Sequence, residues 1–157
     1  MRTKQLLSIF TILAFSSIGS ALAQQRGKGK GKGPARPGMT LTTPAFADGT
    51  EIPPKYTQGV SDPVSPKLEW TNVPPGVESF TLILHDPDVA IGKKTGDVLH
   101  WMIFNIPGTA RDLPEGVPAQ AQLPDGAIQA VNTHKTVGYV GMGAPAAGPY
   151  HHYTFEL

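Results

Sequence analysis

The chain has 157 residues and no cysteine, which excludes thiol catalysis, disulfide staples and Cys-ligated zinc or iron–sulfur centres. Its 16 prolines and 18 glycines are spread along it, and no long window has the 3.6-residue apolar period of an amphipathic helix. The net charge of +1 hides an asymmetry: residues 24–38 carry five basic groups and no acidic one, whereas 39–157 carry six basic and twelve acidic groups, which argues against nucleic acid as a partner.

Residues 1–23 read as a signal peptide. Arg2 and Lys4 form a positive start, an apolar run follows from Leu6, and Ala21-Leu22-Ala23 is a small-x-small cleavage site. The expected location is periplasmic or secreted. No other run is apolar and long enough for a membrane span. Residues 24–38, QQRGKGKGKGPARPG, read as a flexible basic Gly/Lys arm, a spacer or a weak contact for anionic surfaces. Residues 39–157 are expected to form a single domain.

Within that domain, Leu41 to Phe46 reads as a short strand broken by Pro44, and Tyr56 to Val60 as a weak extended segment. Lys67 to Trp70 alternates and predicts a strand with Leu68 and Trp70 facing inward. Ser79 to Asp86 is a stronger strand, with Phe80, Leu82 and Leu84 on one side and Thr81, Ile83 and His85 on the other. Pro87 ends it, leaving Asp86 and Asp88 at its mouth. A polar Gly-containing loop is expected over 90–97. Val98 to Ile106 is apolar on both faces, as in a central strand, with His100 sharing the face of Met102 and Phe104. Pro107 to Asp125 reads as a long connection and Ala127 to Val131 as a weak strand. A Gly-rich stretch over 138–145 precedes a strand in which His151, Tyr153, Phe155 and Leu157 alternate with polar neighbours.

The chemistry these residues permit is narrow. There is no G-x-S-x-G elbow, Walker loop, dinucleotide G-x-G-x-x-G or H-E-x-x-H. What remains is Asp86, Asp88, His100, His151, His152 and Tyr153, with the backbone amides around Gly141–Gly143. A Gly-rich turn with imidazole and phenol donors suits a small oxyanion, and a carboxylate such as Asp86 would orient one donor. A metal on His100, His151 and Asp86 is the alternative, though their spacing is not diagnostic.

These residues also form a pattern. Ser65-Pro66-Lys67-Leu68-Glu69-Trp70 with Val73-Pro74, Asp86-Pro87-Asp88-Val89-Ala90, His100-Trp101 with Asn105-Ile106-Pro107, Gly138 to Pro145, and His151-x-Tyr153-x-Phe155 occur in order. In this the chain resembles the phosphatidylethanolamine-binding proteins, in their bacterial Raf-kinase-inhibitor-like branch. The resemblance implies a mainly β, two-sheet antiparallel sandwich. It also implies a shallow surface pocket for phosphate, a phosphorylated headgroup or a carboxylate. Asp86, His100, Gly143, His151 and Tyr153 would line that pocket, with Asp88, Tyr139 and Tyr150 at its rim and His152 pointing away. Neither an enzymatic reaction nor a cofactor is implied. A protein-interaction or inhibitor role with an unidentified partner is the alternative reading. Two departures stand out: Ala90 replaces the usual proline, and the chain stops at Leu157, before the family's usual C-terminal strand and helix. That ending leads to an expectation of a bare sheet edge open to homodimerisation, or of an inactive truncated fragment.

Overall fold

The computed structural model describes residues 37–89 and 97–157. The leader, nearly all of the basic arm and residues 90–96 of the expected loop lie outside the described residues.

Among the described residues, seven strands make two antiparallel sheets. β1 (Thr40–Thr42), β2 (Leu68–Thr71) and β5 (Asp112–Leu113) form the first, in the order β1-β2-β5. β3 (Ser79–Asp86), β4 (Val98–Pro107), β6 (Ile128–Gln129) and β7 (Thr154–Glu156) form the second, in the order β6-β4-β3-β7. Alternation in β2 and β3 sets their faces. Leu68 and Trp70 are buried, as are Phe80, Leu82, Leu84 and Asp86, while Thr81, Ile83 and His85 are not. The core joins the sheets where the Trp70 ring meets the Phe80 ring edge-on at 5.4 Å. Trp101, Ile103 and Ile106 complete it from β4. Each such side chain contributes roughly 1.5–3 kcal/mol of burial. Both indoles are satisfied, Trp70 Nε1 donating to Ala110 O (3.0 Å) and Trp101 Nε1 to Gln129 Oε1 (2.8 Å).

Three local readings change. Residues 54–56 form a 3-10 turn with Pro54 at its start, and only Thr57 bridges in extended form, to Met142. β5 lies inside the expected connection, and a two-residue strand leaves no periodic signal. The strand expected from His151 onward enters the ladder only at Thr154, because its partner β3 runs into Pro87 just beyond Asp86.

The β3–β4 register positions the site. Leu84 pairs with Trp101 but His85 pairs with Leu99, so His100 is the extra residue of a bulge. Simple alternation would group His100 with Met102 and Phe104, which are half-buried. The bulge buries His100 and Trp101 in succession instead.

Candidate functional site

Asp86 ends the apolar stripe of β3 and is 1% exposed. A carboxylate so placed must be hydrogen-bonded, and both its oxygens are. Oδ1 accepts the Asp88 amide (2.9 Å), closing the turn around Pro87. Oδ2 accepts from Nδ1 of His151 (2.7 Å). Because that nitrogen is the donor, the proton of a neutral His151 sits on Nδ1 and Nε2 is left for another partner.

His100 reaches the same region from the bulge. Its Nδ1 lies 3.3 Å from Val140 O and 3.2 Å from Gly141 O, two acceptors, so Nδ1 carries the hydrogen. Burial holds its pKa below that of a free imidazole, although the two carbonyls and the charge of Asp86 pull upward. The ring is therefore neutral at pH 7, with Nε2 as an acceptor. The Tyr153 ring meets it edge-on at 5.3 Å. The Tyr153 hydroxyl is buried and has no hydrogen-bond partner among the described residues. Burial, then the Asp86 charge, raise its pKa. The nearby Gly143 backbone amide pulls it down. A buried unpaired hydroxyl costs about 1–3 kcal/mol, so a group retained in that state needs a reason.

The Gly-rich segment lies across these side chains. Gly141 could not carry a Cβ, which would fall 2.7 Å from Thr57 C and 2.8 Å from Gln58 N. Gly143 sits over the Gln58 side chain, whose Nε2 donates to Gly141 O (2.8 Å). No spacing or motif marked Gln58 in the sequence.

The structure thus brings Asp86, His100, His151 and Tyr153 together, with the Gly143 amide beside the Tyr153 hydroxyl. The side chains of the other expected residues make their contacts outside that cluster. Tyr139 packs edge-on against Trp101 at 5.8 Å and donates to Tyr56 O (2.5 Å), as part of the scaffold. Tyr150 is 84% exposed. Asp88 accepts from the amide (2.6 Å) and Nδ1 (2.8 Å) of His152, while the turn-closing bond belongs to Asp86. His134, exposed, has its ring 6.4 Å from that of His100. Among the described residues no group of three His, Cys, Asp or Glu side chains is placed to hold a metal ion. Nor is any helix there long and apolar enough to cross a membrane.

Two hollows lie elsewhere. One, of about 430 Å³, is bounded by Pro44, Pro53, Lys55, Tyr56, Lys67 and Glu115. The other, of about 310 Å³, is bounded by Ala144 to Ala146 and Gly148 to Tyr150. Neither is lined by Asp86, His100, His151 or Tyr153.

The chain is similar to known proteins. Residues 42–157 match the family described as phosphatidylethanolamine-binding protein. A UPF0098 protein of Methanothermobacter thermautotrophicus is 41% identical over 119 residues, covering 76% of this chain and 74% of that protein. UPF0098 protein YbhB of Escherichia coli is 34% identical over 124 residues, covering 76% of each. Among solved structures, the phosphatidylethanolamine-binding protein homolog CT736 of Chlamydia trachomatis is 34% identical with a TM-score of 0.62, over 74% of this chain and 71% of that one. YbcL of E. coli, described as a member of the mammalian family, is 28% identical with a TM-score of 0.66, over 74% and 73%. The two-sheet fold, the order of the motifs and these matches place the chain in the phosphatidylethanolamine-binding protein family, in its UPF0098 branch.

Proposed function

We propose that this protein is an exported, non-enzymatic binding protein for a small oxyanion: phosphate, a phosphorylated headgroup or a carboxylate. The observation that carries this reading is the buried, unpartnered Tyr153 hydroxyl beside the Asp86–His151 pair. A hydroxyl kept in that state is a donor reserved for a ligand. Asp86 keeps its negative charge while both its oxygens accept hydrogen bonds, so it selects a ligand that itself carries a proton or an ammonium. Its role is to fix the His151 ring with Nε2 toward the ligand: with Nδ1 on Asp86, Nε2 donates to a bare anion only as an imidazolium and, as a neutral ring, accepts from a ligand that carries a proton. His100, neutral and with Nδ1 committed to carbonyls, offers Nε2 as an acceptor and favours a ligand that itself carries a proton or an ammonium. Gly143 brings a backbone amide to the same place.

Export is supported by the basic start, the apolar run and the Ala21-Leu22-Ala23 site. The mass of the protein recovered outside the cytoplasm should correspond to a start at Gln24. The binding reading is tested by calorimetry with phosphate, phosphoethanolamine and acetate on the wild type and on His151→Ala. Saturable binding that the variant loses supports it; equal binding by both proteins, or none by either, refutes it.

A further inference from the structure

The segment before β7 is held in an unusual way. The ladder between β3 and β7 ends at the pair His85↔Thr154. Upstream of Thr154, where strand pairing would continue, the chain is tied to the end of β3 by side chains. The inner tie is His151 Nδ1 to Asp86 Oδ2. The outer tie is double: Asp88 Oδ2 accepts from both the backbone amide (2.6 Å) and the ring Nδ1 (2.8 Å) of His152. The two carboxylates flank Pro87, which has no amide hydrogen to offer a ladder. One turn therefore grips two successive histidines, one pair buried and the other open to solvent, with the His152 side chain 86% and the Asp88 side chain 39% exposed.

The outer pair is badly placed to add much stability, since exposed ion pairs contribute about 0–1 kcal/mol. It is well placed to fix geometry. A backbone amide held at residue 152 sets the peptide next to His151, and hence where the His151 ring stands against Asp86. The His152 amide, then its ring, hold the Asp88 pKa below the ordinary carboxylate value, so the tie persists through neutral pH.

We propose that Asp88 and His152 are positioning residues for the anion site, an outer clasp that keeps the His151 imidazole on Asp86 with Nε2 toward the ligand. This rests on the oxyanion reading for its affinity consequence, but not for its effect on the His151 ring. The test uses Asp88→Ala, Asp88→Asn and His152→Ala, each with two readouts. The first is the tautomer of His151 in the ligand-free protein, from its ring nitrogen chemical shifts. The second is the affinity for inorganic phosphate.

The wild type should hold His151 with its proton on Nδ1. D88A should give a mixture of tautomers and about tenfold weaker phosphate binding, as loss of a supporting partner does at other sites. H152A keeps the amide bond to Asp88 and should show a smaller change in the same direction. D88N keeps an oxygen for that amide and should recover most of the loss. Melting temperatures should stay within about 4 °C of wild type, as for an exposed pair. A D88A protein with wild-type tautomer and affinity overturns the proposal, as does a loss that D88N fails to recover. If the wild type binds none of phosphate, phosphoethanolamine and acetate, the oxyanion reading fails and the tautomer alone decides the clasp. Should D88A not fold, H152A decides it: an unchanged ring and affinity overturn the proposal.

Discussion

Two imidazole–carboxylate groups begin at adjacent residues of β3 and face opposite ways. His85 turns to the partly open face. Its Nδ1 meets the Asp97 carboxylate, and its Nε2 lies 3.8 Å from Glu156 Oε1, with side-chain exposures of 21%, 41% and 61% for the three residues. Asp86 turns inward to His151, where the exposures are 1% and 11%. The chemical groups are the same, but their settings are not. The outer carboxylates are open to water, which screens their charges, while His85 Nε2 is buried without a hydrogen-bond partner among the described residues, with Glu156 just beyond reach. The inner pair sits where a missing hydrogen bond is costly and where an orphaned tyrosine hydroxyl lies beside it. Burial of the carboxylate, rather than residue type, separates the two pairs.

Substitutions on the two faces should break or sharpen that contrast. The largest effect is expected for Asp86→Ala, which strips His151 and the Asp88 amide of their acceptor at once. Urea denaturation should show a loss of about 3 kcal/mol, as for a broken buried pair, and calorimetry should show no phosphate binding. Tyr153→Phe should separate function from stability. Removing an unsatisfied hydroxyl should leave the fold unchanged or up to about 1 kcal/mol more stable, while phosphate affinity falls about tenfold. A clear loss of stability would mean that the hydroxyl has a structural partner.

Acidification should act through His100. Burial depresses its folded pKa, so the unfolded chain takes up the proton first. Its contribution is whole above about pH 6.5 and is lost as the pH falls from there toward the folded value. The urea midpoint should therefore drop between pH 7.5 and 5.5, and drop less in His100→Gln. Asp97→Asn should do least. On the outer set it should move stability by no more than about 0.5 kcal/mol and leave phosphate affinity unchanged.

Much of this was legible in the residues. The alternation of Phe80, Leu82 and Leu84 and the stop at Pro87 were plain in the residues, whereas which face is buried, and with it the inward position of Asp86, is set by the packing of the sheets. The cluster of Asp86, His100, His151 and Tyr153 was readable because each belongs to a motif of the family. His100 shows where parity fails: a bulge is a property of the pair of strands, and neither strand's sequence displays it. β5 was hidden because two residues have no period, and Gln58 because its importance comes from lying under Gly143. Tyr139 looked like a rim residue from its place in the Gly-rich segment, yet its ring completes the packing on Trp101. The grip of Asp88 on His152 was invisible for a related reason. It spans 64 residues and replaces strand pairing at a point where regular alternation has already stopped.

The most direct test follows the histidine ring nitrogens and the Tyr153 hydroxyl by NMR while phosphate is added to the folded protein. Binding at the inner pair predicts saturable shifts at His151 Nε2 and at Tyr153, a smaller one at His100, and none at His85. Shifts centred on His85, or none at His151 and Tyr153 when phosphate saturates the protein, would contradict it.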